Sequence, residues 1–198
     1  LFLALLRVVN SPFGRVLLSI RENEFRSEAL GYRSVTYRTV ANCLAALGAT
    51  ALSLCFNVAA GYAFAKLRFA GRERLFRTLL GALVIPAQVT MMPLFLMLER
   101  MGLVNTLPGV LVPWLASVFG IFLVRQYALS IPDELLEAAR IDGASEWRIF
   151  RDVVLPLLKP VLVTLALLSF LGAWNDFMWP LIVLSDRDLQ TLPVALAA

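Results

Sequence analysis

The sequence predicts an all-α integral membrane protein, and three observations carry the prediction. Hydrophobic residues make up 60% of the chain and charged residues only 16%, with a mean hydropathy of +0.78, whereas about a quarter of a soluble domain is charged. The apolar residues gather in four runs, about 39–64, 78–98, 108–129 and 157–184, each long enough at about 1.5 Å per residue to cross a hydrocarbon core of about 30 Å. The cations sit in the loops beside these runs. All four runs are expected to be helices, because unpaired backbone is too costly in lipid.

Residues 1–38 differ from the rest. Leu1–Val9 fits the tail of a membrane helix, interrupted at Arg7, and a basic amphipathic segment follows. It is too short and too interrupted for a secretory signal. Without a special role it would be an interfacial amphipathic helix.

Charge then sets the expected topology. Lys66, Arg68, Arg72, Arg74 and Arg77 stand against a single Glu73 between the first two runs, which puts that loop in the cytoplasm. The loop with Glu99 and Arg100 is then outside, residues 130–156 return inside, and Ser185–Gln190 lie outside again. The first 38 residues break this agreement. They carry Arg7, Arg15, Arg21, Arg26, Arg33 and Arg38 against three glutamates, so both flanks of the first run compete for the cytoplasm. The expectation is either a foreign join near residue 38, the favoured reading, or a first segment that does not span simply. Thr191–Ala198 should lead into a further membrane helix, so a truncated chain is expected.

Several function classes are disfavoured. The chain has no histidine, which removes the usual proton shuttles, most zinc sites and His-activated nucleophiles. With no paired acids within the apolar runs either, an intramembrane enzyme is disfavoured. The net charge of +4 is accounted for by cytoplasmic loops rather than by nucleic acid. Cys43 and Cys55 lie twelve residues apart on one expected helix, too far for a disulfide within it. No metal site or cofactor is expected in this chain.

The most informative stretch is the polar island 130–156. Ser130 can cap a helix starting near Ile131, with Pro132, Asp133 and Glu134 in its first turn. Leu135, Ala138, Ala139 and Asp142 share one narrow face, open to approach by another protein. Gly143 allows a left-handed turn that ends the helix. Ser145 can cap a second helix, with Trp147, Phe150, Val154 and Leu157 on one face, before Pro156 and Pro160 bend the chain into the last run.

Glu137-Ala138-Ala139, then Gly143, then Val153-x-Leu155-Pro156 resembles the loop of binding-protein-dependent ATP-binding-cassette importers, with Val153 where Ile is usual. The resemblance extends over about residues 40–198, through Gly61-Tyr62-Ala63-Phe64-Ala65, Ile141-Asp142-Gly143-Ala144 and Trp174-Asn175-Asp176. It is to the permease subunits of sugar importers related to the maltose and glycerol-3-phosphate systems. It implies a type I importer transmembrane domain over 39–198, multi-pass in a bacterial or archaeal cytoplasmic (inner) membrane. It also implies a coupling helix in which Glu137, Ala138, Ala139, Asp142, Gly143, Leu155 and Pro156 meet a separate ATPase subunit that holds ATP and Mg²⁺. The chain has no Gly-Lys-Ser or Gly-Lys-Thr phosphate loop of its own. A second permease subunit and an extracytoplasmic solute-binding protein complete the expected partners, within the lipid bilayer. Residues 11–31 instead resemble the branched-chain amino-acid permeases. An amino-acid permease and a non-functional chimeric fragment are the alternative readings.

Five residues are candidates for a substrate pathway. Gln88 lies about 15 Å along a helix counted from Thr78, near the midplane and between Pro86 and Pro93, where a broken helix can open carbonyls to a cavity. Asn57 and Ser117 are weaker cases, and for each a bond to a neighbouring helix is the competing role. Asn175 and Asp176 fall near the outer boundary, flanked by Trp174 and Trp179, where a structural or gating role competes with substrate contact. Gly48, Ala49, Gly61, Gly81 and Gly120 are expected to permit close helix contact.

Overall fold

The computed structural model describes residues 7, 10–22, 29–31 and 33–184, and the regular structure among them is helical. The expected helix tail at residues 1–9, apart from Arg7, the loop 185–190 and the further helix from Thr191 lie outside the described residues.

Helix α1 (Pro12–Glu22) opens with Pro12 in its first turn and the Ser11 hydroxyl accepting from the Gly14 amide at 3.3 Å, both favourable at a helix start. Phe13 stacks on Tyr37, with ring centroids 5.4 Å apart, against the start of α2. Helix α2 (Ser34–Lys66) contains no proline and runs unbroken for 33 residues, roughly 50 Å. Its stretch Thr39–Lys66 is apolar and long enough to span.

The second run is bent into two helices. Helix α3 (Arg72–Ala82) and helix α4 (Ala87–Arg100) meet at 105°. Pro86 explains the break: it has no amide to donate, and it pushes Ile85 out of helical geometry. The third run is also interrupted. Thr106 caps a short α5 (Leu107–Leu111), a 3-10 turn follows at Val112–Trp114, and α6 (Val118–Leu129) starts afresh with Ser117 as its cap.

Two helices follow in the polar island, α7 (Asp133–Ile141) and α8 (Glu146–Leu157). Helix α9 (Lys159–Asn175) leaves α8 at 76°, and α10 (Met178–Val183) follows a break at Asp176–Phe177. The fourth run is therefore two helices, not one. By length and composition Thr39–Lys66 and, its interruption included, Pro108–Leu129 can span, with two more spans if each bent pair is one.

The main core joins α2 to α6, α8 and α9 through Val58, Tyr62, Val124, Ile149, Leu158 and Leu165. Two glycines make this closeness possible. A Cβ at Gly61 would lie 2.6 Å from the Val124 side chain, and one at Gly120 would lie 2.9 Å from the Asn57 amide. Among the described residues Gly48 and Gly81 have nothing within 4 Å of an added Cβ, so no close contact forms there within them.

Cross-links gather at two places. One ties α10 to the α4–α5 connection, where the Asn105 amide donates to the Val183 carbonyl at 2.9 Å and the Trp179 indole to the Gly109 carbonyl at 3.3 Å. The other ties Lys66, the last residue of α2, to the polar island at Ile131 and Asp133. Both loops assigned to the cytoplasm by charge thus meet at one side of the molecule.

Candidate functional site

The polar island folds as helix, hinge and helix, and its hinge is built from backbone rules. Gly143 has φ +77°; its amide donates to the Arg140 carbonyl and the Ala144 amide to the Ala139 carbonyl, each at 3.0 Å. This paired arrangement satisfies two of the last carbonyls of α7 and needs a left-handed residue at Gly143. Ser145 caps α8, accepting from the Arg148 amide at 3.4 Å. Across the hinge Arg140 donates to both Glu146 oxygens, at 2.7 and 3.3 Å. That hydrogen bond holds the Glu146 carboxyl below its ordinary range and raises Arg140, against a smaller opposing effect of burial on each.

The start of α7 differs from expectation. Asp133 and Glu134 occupy the first turn, but Pro132 holds the cap position. The Ser130 hydroxyl donates back to the Tyr127 carbonyl at 2.7 Å; it is spent on the end of α6. What fixes α7 is Lys66. Its buried ammonium donates to the Ile131 carbonyl and to the Asp133 carboxylate, each at 2.6 Å.

Inside α8, residues Phe150–Val154 form a π-turn, with the Leu155 amide reaching the Phe150 carbonyl. Pro156 accounts for it. An ordinary turn would drive the proline ring into the Asp152 carbonyl, and a wider turn relieves that clash. The extra residue changes the face. Ile149, Val154 and Leu158 are the fully buried positions, while Trp147 and Leu157 are exposed and Phe150 half-buried. The single face of Trp147, Phe150, Val154 and Leu157 expected from ordinary helical spacing is corrected accordingly.

The two faces of the island are therefore distinct. Leu136 is buried in the main core with Ala139 and Ala144 packed beside it. Glu137, Ala138, Asp142 and Gly143 are exposed on α7 and its hinge, with Leu135 at its side and Ile141, at 86% exposure, beyond them. Of the other expected coupling residues, Ala139 and Leu155 are half-buried against the core and Pro156 is exposed at the π-turn.

Arg125 is a second cation whose role sequence reading missed. Its Nε donates to the Phe64 carbonyl at 3.2 Å, its guanidinium reaches Glu73 at 3.1 Å, and it lies 4.0 Å over the Phe76 ring. A signal was present, since Arg125 interrupts an otherwise apolar run.

The five pathway candidates do not converge. Asn57 is fully buried; it donates to Ser53 and accepts from the Ser117 amide, each at 2.9 Å. Ser117 in turn caps α6. These two meet, as parts of the α2–α6 joint. Gln88 is exposed in the first turn of α4, just after the 105° bend, so a depth counted along one straight helix does not apply to it. Asn175 donates to the Leu171 carbonyl at 2.9 Å, and Asp176 accepts from the Trp179 amide at 3.3 Å, at the head of α10.

Comparison with known proteins agrees with this architecture. The arabinooligosaccharides transport system permease protein AraQ of Halalkalibacterium halodurans is 45% identical over 146 residues, 74% of this chain and 52% of that protein. The lactose transport system permease protein LacG of Rhizobium radiobacter is 37% identical, over 77% of this chain and 56% of its own length. The sn-glycerol-3-phosphate transport system permease protein UgpE of Pectobacterium atrosepticum is 38% identical, over 74% and 52%. The chain thus spans about half the length of these curated relatives. A crystal structure of a bacterial ABC transporter involved in the import of the acidic polysaccharide alginate contains a similar chain. It matches with a TM-score of 0.74 and 29% identity, over 93% of this chain and 60% of that one. The match therefore reaches into the N-terminal arm, beyond residues 39–198. The model of one protein family matches residues 57–197, most of the chain, and the chain belongs to that family, the inner membrane components of binding-protein-dependent transport systems.

Proposed function

We propose that this chain is part of the permease subunit of an ATP-driven importer for a sugar or a related polyol, and that α7 is its coupling helix. The observation that carries the reading is the two-sided α7. Glu137, Ala138, Ile141 and Asp142 face outward, while Leu136 is locked into the core shared with α2, α6 and α9. A push on the outer face would move the membrane helices rather than deform a loop. The sugar assignment rests on relatives named for arabinooligosaccharides and lactose, with sn-glycerol 3-phosphate as the related polyol.

In this reading a separate ATPase subunit, holding ATP and Mg²⁺, seats α7 through Glu137, Ala138, Asp142 and Gly143. Its closure moves α7 and α8 as a unit, because the hinge hydrogen bonds and the Arg140–Glu146 pair make the hinge stiff. Lys66 passes the motion to α2, and Leu155 and Pro156 at the π-turn pass it to α9. A second permease subunit forms the other half of the pathway, and an extracytoplasmic solute-binding protein delivers the substrate. Gln88, Asn175 and Asp176 remain the candidates for substrate contact or gating; Asn57 and Ser117 act by holding α2 to α6.

The test is crosslinking from Ile141→Cys, in a background of Cys43→Ser and Cys55→Ser, to a co-expressed sugar-importer ATPase subunit. A crosslink whose yield changes with ATP is expected, with a weaker one from the half-buried Ala139→Cys. No crosslink from an inserted chain would overturn the reading.

A further inference from the structure

Arg68, Arg72, Arg74 and Arg77 line an open cleft of about 720 Å³ between the end of α2 and the start of α3, together with Phe69 and the single acid Glu73. Gly71, at φ +81°, reverses the chain so that Arg68 and the first turn of α3 flank the same space. Arg68, Arg74 and Arg77 are exposed. Arg72 is held in place by the Ala65 and Leu67 carbonyls, at 3.4 and 3.1 Å, bonds that leave its charge intact.

The acids nearby are already engaged. Glu73 pairs with Arg125, which reaches it from α6 at 3.1 Å, and Asp133, close enough to feel the charge of Arg68, is bonded to Lys66. The cleft is therefore an uncompensated cluster of guanidinium groups, the geometry best suited to bidentate recognition of phosphate.

Its rim says which phosphate. Phe69 lines the cleft and is exposed beside the arginines, and the cleft opens at the very end of the apolar span Thr39–Lys66. A dissolved anion uses only the cations, whereas a phospholipid offers a phosphodiester to the arginines and glycerol and acyl carbons to Phe69. We propose that this cleft binds the headgroup of an anionic phospholipid from the leaflet on that side, anchoring the α2–α3 turn next to the polar island.

The test uses the whole chain in detergent, with a polarity-sensitive fluorophore on Ala70→Cys in the Cys43→Ser, Cys55→Ser background. It is titrated with phosphatidylglycerol or with phosphatidylcholine. Phosphatidylglycerol should half-saturate the response at a concentration at least about tenfold lower, and about 0.5 M salt should remove that preference. Arg74→Gln with Arg77→Gln should weaken phosphatidylglycerol by about twenty-fivefold, at about fivefold per arginine. The pair Arg100→Gln with Arg148→Gln, exposed cations elsewhere, should leave it unchanged, and thermal unfolding checks that each variant is folded. Equal responses to the two lipids, or no effect of Arg74→Gln with Arg77→Gln, would overturn the proposal. Displacement of phosphatidylglycerol by equimolar inorganic phosphate would reassign the cleft to a free anion. Loss of ATPase-subunit retention in that variant, with an unchanged lipid response, would reassign it to a protein partner and equally overturn the proposal.

Discussion

The Lys66 ammonium lies 2.6 Å from the Asp133 carboxylate and joins the last residue of α2 to the first residue of α7. The Lys66 side chain is 6% exposed and that of Asp133 68%, so the two partners carry unequal weight. Lys66→Met strips the buried Ile131 carbonyl of its donor and should lower stability by roughly 1–3 kcal/mol. Asp133→Asn keeps that donor and, at an exposed position, should cost less than Lys66→Met. Thermal unfolding in detergent checks the order.

The same pair sets a pH dependence. The hydrogen bond from Lys66, and then its charge, hold the Asp133 carboxyl below the usual value of 3.8. A depressed folded pKa contributes stability that is fully present above that usual value and is lost as pH falls through the depressed one. Protection of the α7 amides from hydrogen exchange, relative to their unstructured rates at the same pH, should therefore hold at pH 5 and fall only below about pH 4. Asp133→Asn should remove that component; an unaltered acid limb would show that Asp133 is not its source.

Asn57 serves structure through both ends of its amide. Its oxygen accepts from the Ser117 amide and its nitrogen donates to Ser53. Asn57→Leu leaves the Ser117 amide and the Ser53 hydroxyl without these partners and crowds Gly120, and should cost roughly 2–4 kcal/mol. In an importer assembled as proposed, a milder Asn57→Ser should lower the unfolding temperature without changing substrate selectivity. A changed selectivity at unchanged stability would return Asn57 to the pathway.

Gly61 and Gly48 lie on the same helix and should respond oppositely to alanine. At Gly61 a methyl group would collide with the Val124 side chain on α6 at 2.6 Å, while at Gly48 it meets open space. Gly61→Ala should destabilise by about 1–3 kcal/mol. Gly48→Ala should be neutral, or stabilise by up to about 1 kcal/mol through helix propensity. Melting of the two variants side by side decides it.

The difference between these glycines marks the limit of what the sequence makes legible. Local chemistry reads well: the Gly143 turn, the Ser145 cap and the acidic first turn at Asp133 and Glu134 follow from spacing alone and stand in the structure. Features that depend on a proline acting at a distance read poorly. Pro86 turns one apolar run into two helices at 105°, and Pro156 widens a turn four residues upstream, which moves the buried face to Ile149, Val154 and Leu158. Tertiary partners are harder still. Lys66 reads as a loop charge and Arg125 as an interruption of an apolar run, and only packing shows that each is a clamp. Asn57 reads as a pathway residue because burial in lipid and burial between helices look alike in one dimension.

Tyr62 offers a test of the α2–α8 contact that removes nothing useful. Its ring packs on Phe150, centroids 5.0 Å apart, but its hydroxyl is buried without a hydrogen-bond partner among the described residues. Tyr62→Phe keeps the ring contact and deletes an unsatisfied polar atom, so it should be neutral or stabilise by up to about 2 kcal/mol. A loss of stability would mean that the hydroxyl has a partner in the assembled transporter.

The hinge itself is tested by asking which residues Gly143 can become. Its φ of +77° is a conformation that side chains resist, yet nothing lies within 4 Å of a Cβ placed there. The penalty is thus one of backbone alone, about 1–2 kcal/mol for alanine and less for asparagine, which tolerates the left-handed region. Gly143→Ala should loosen the hinge, weaken retention of a co-expressed ATPase subunit severalfold and leave membrane insertion intact. Gly143→Asn should recover most of that retention. If both variants lose retention equally, the fault is the side chain projecting into the partner's surface. If neither does, α7 does not depend on the turn to hold its angle.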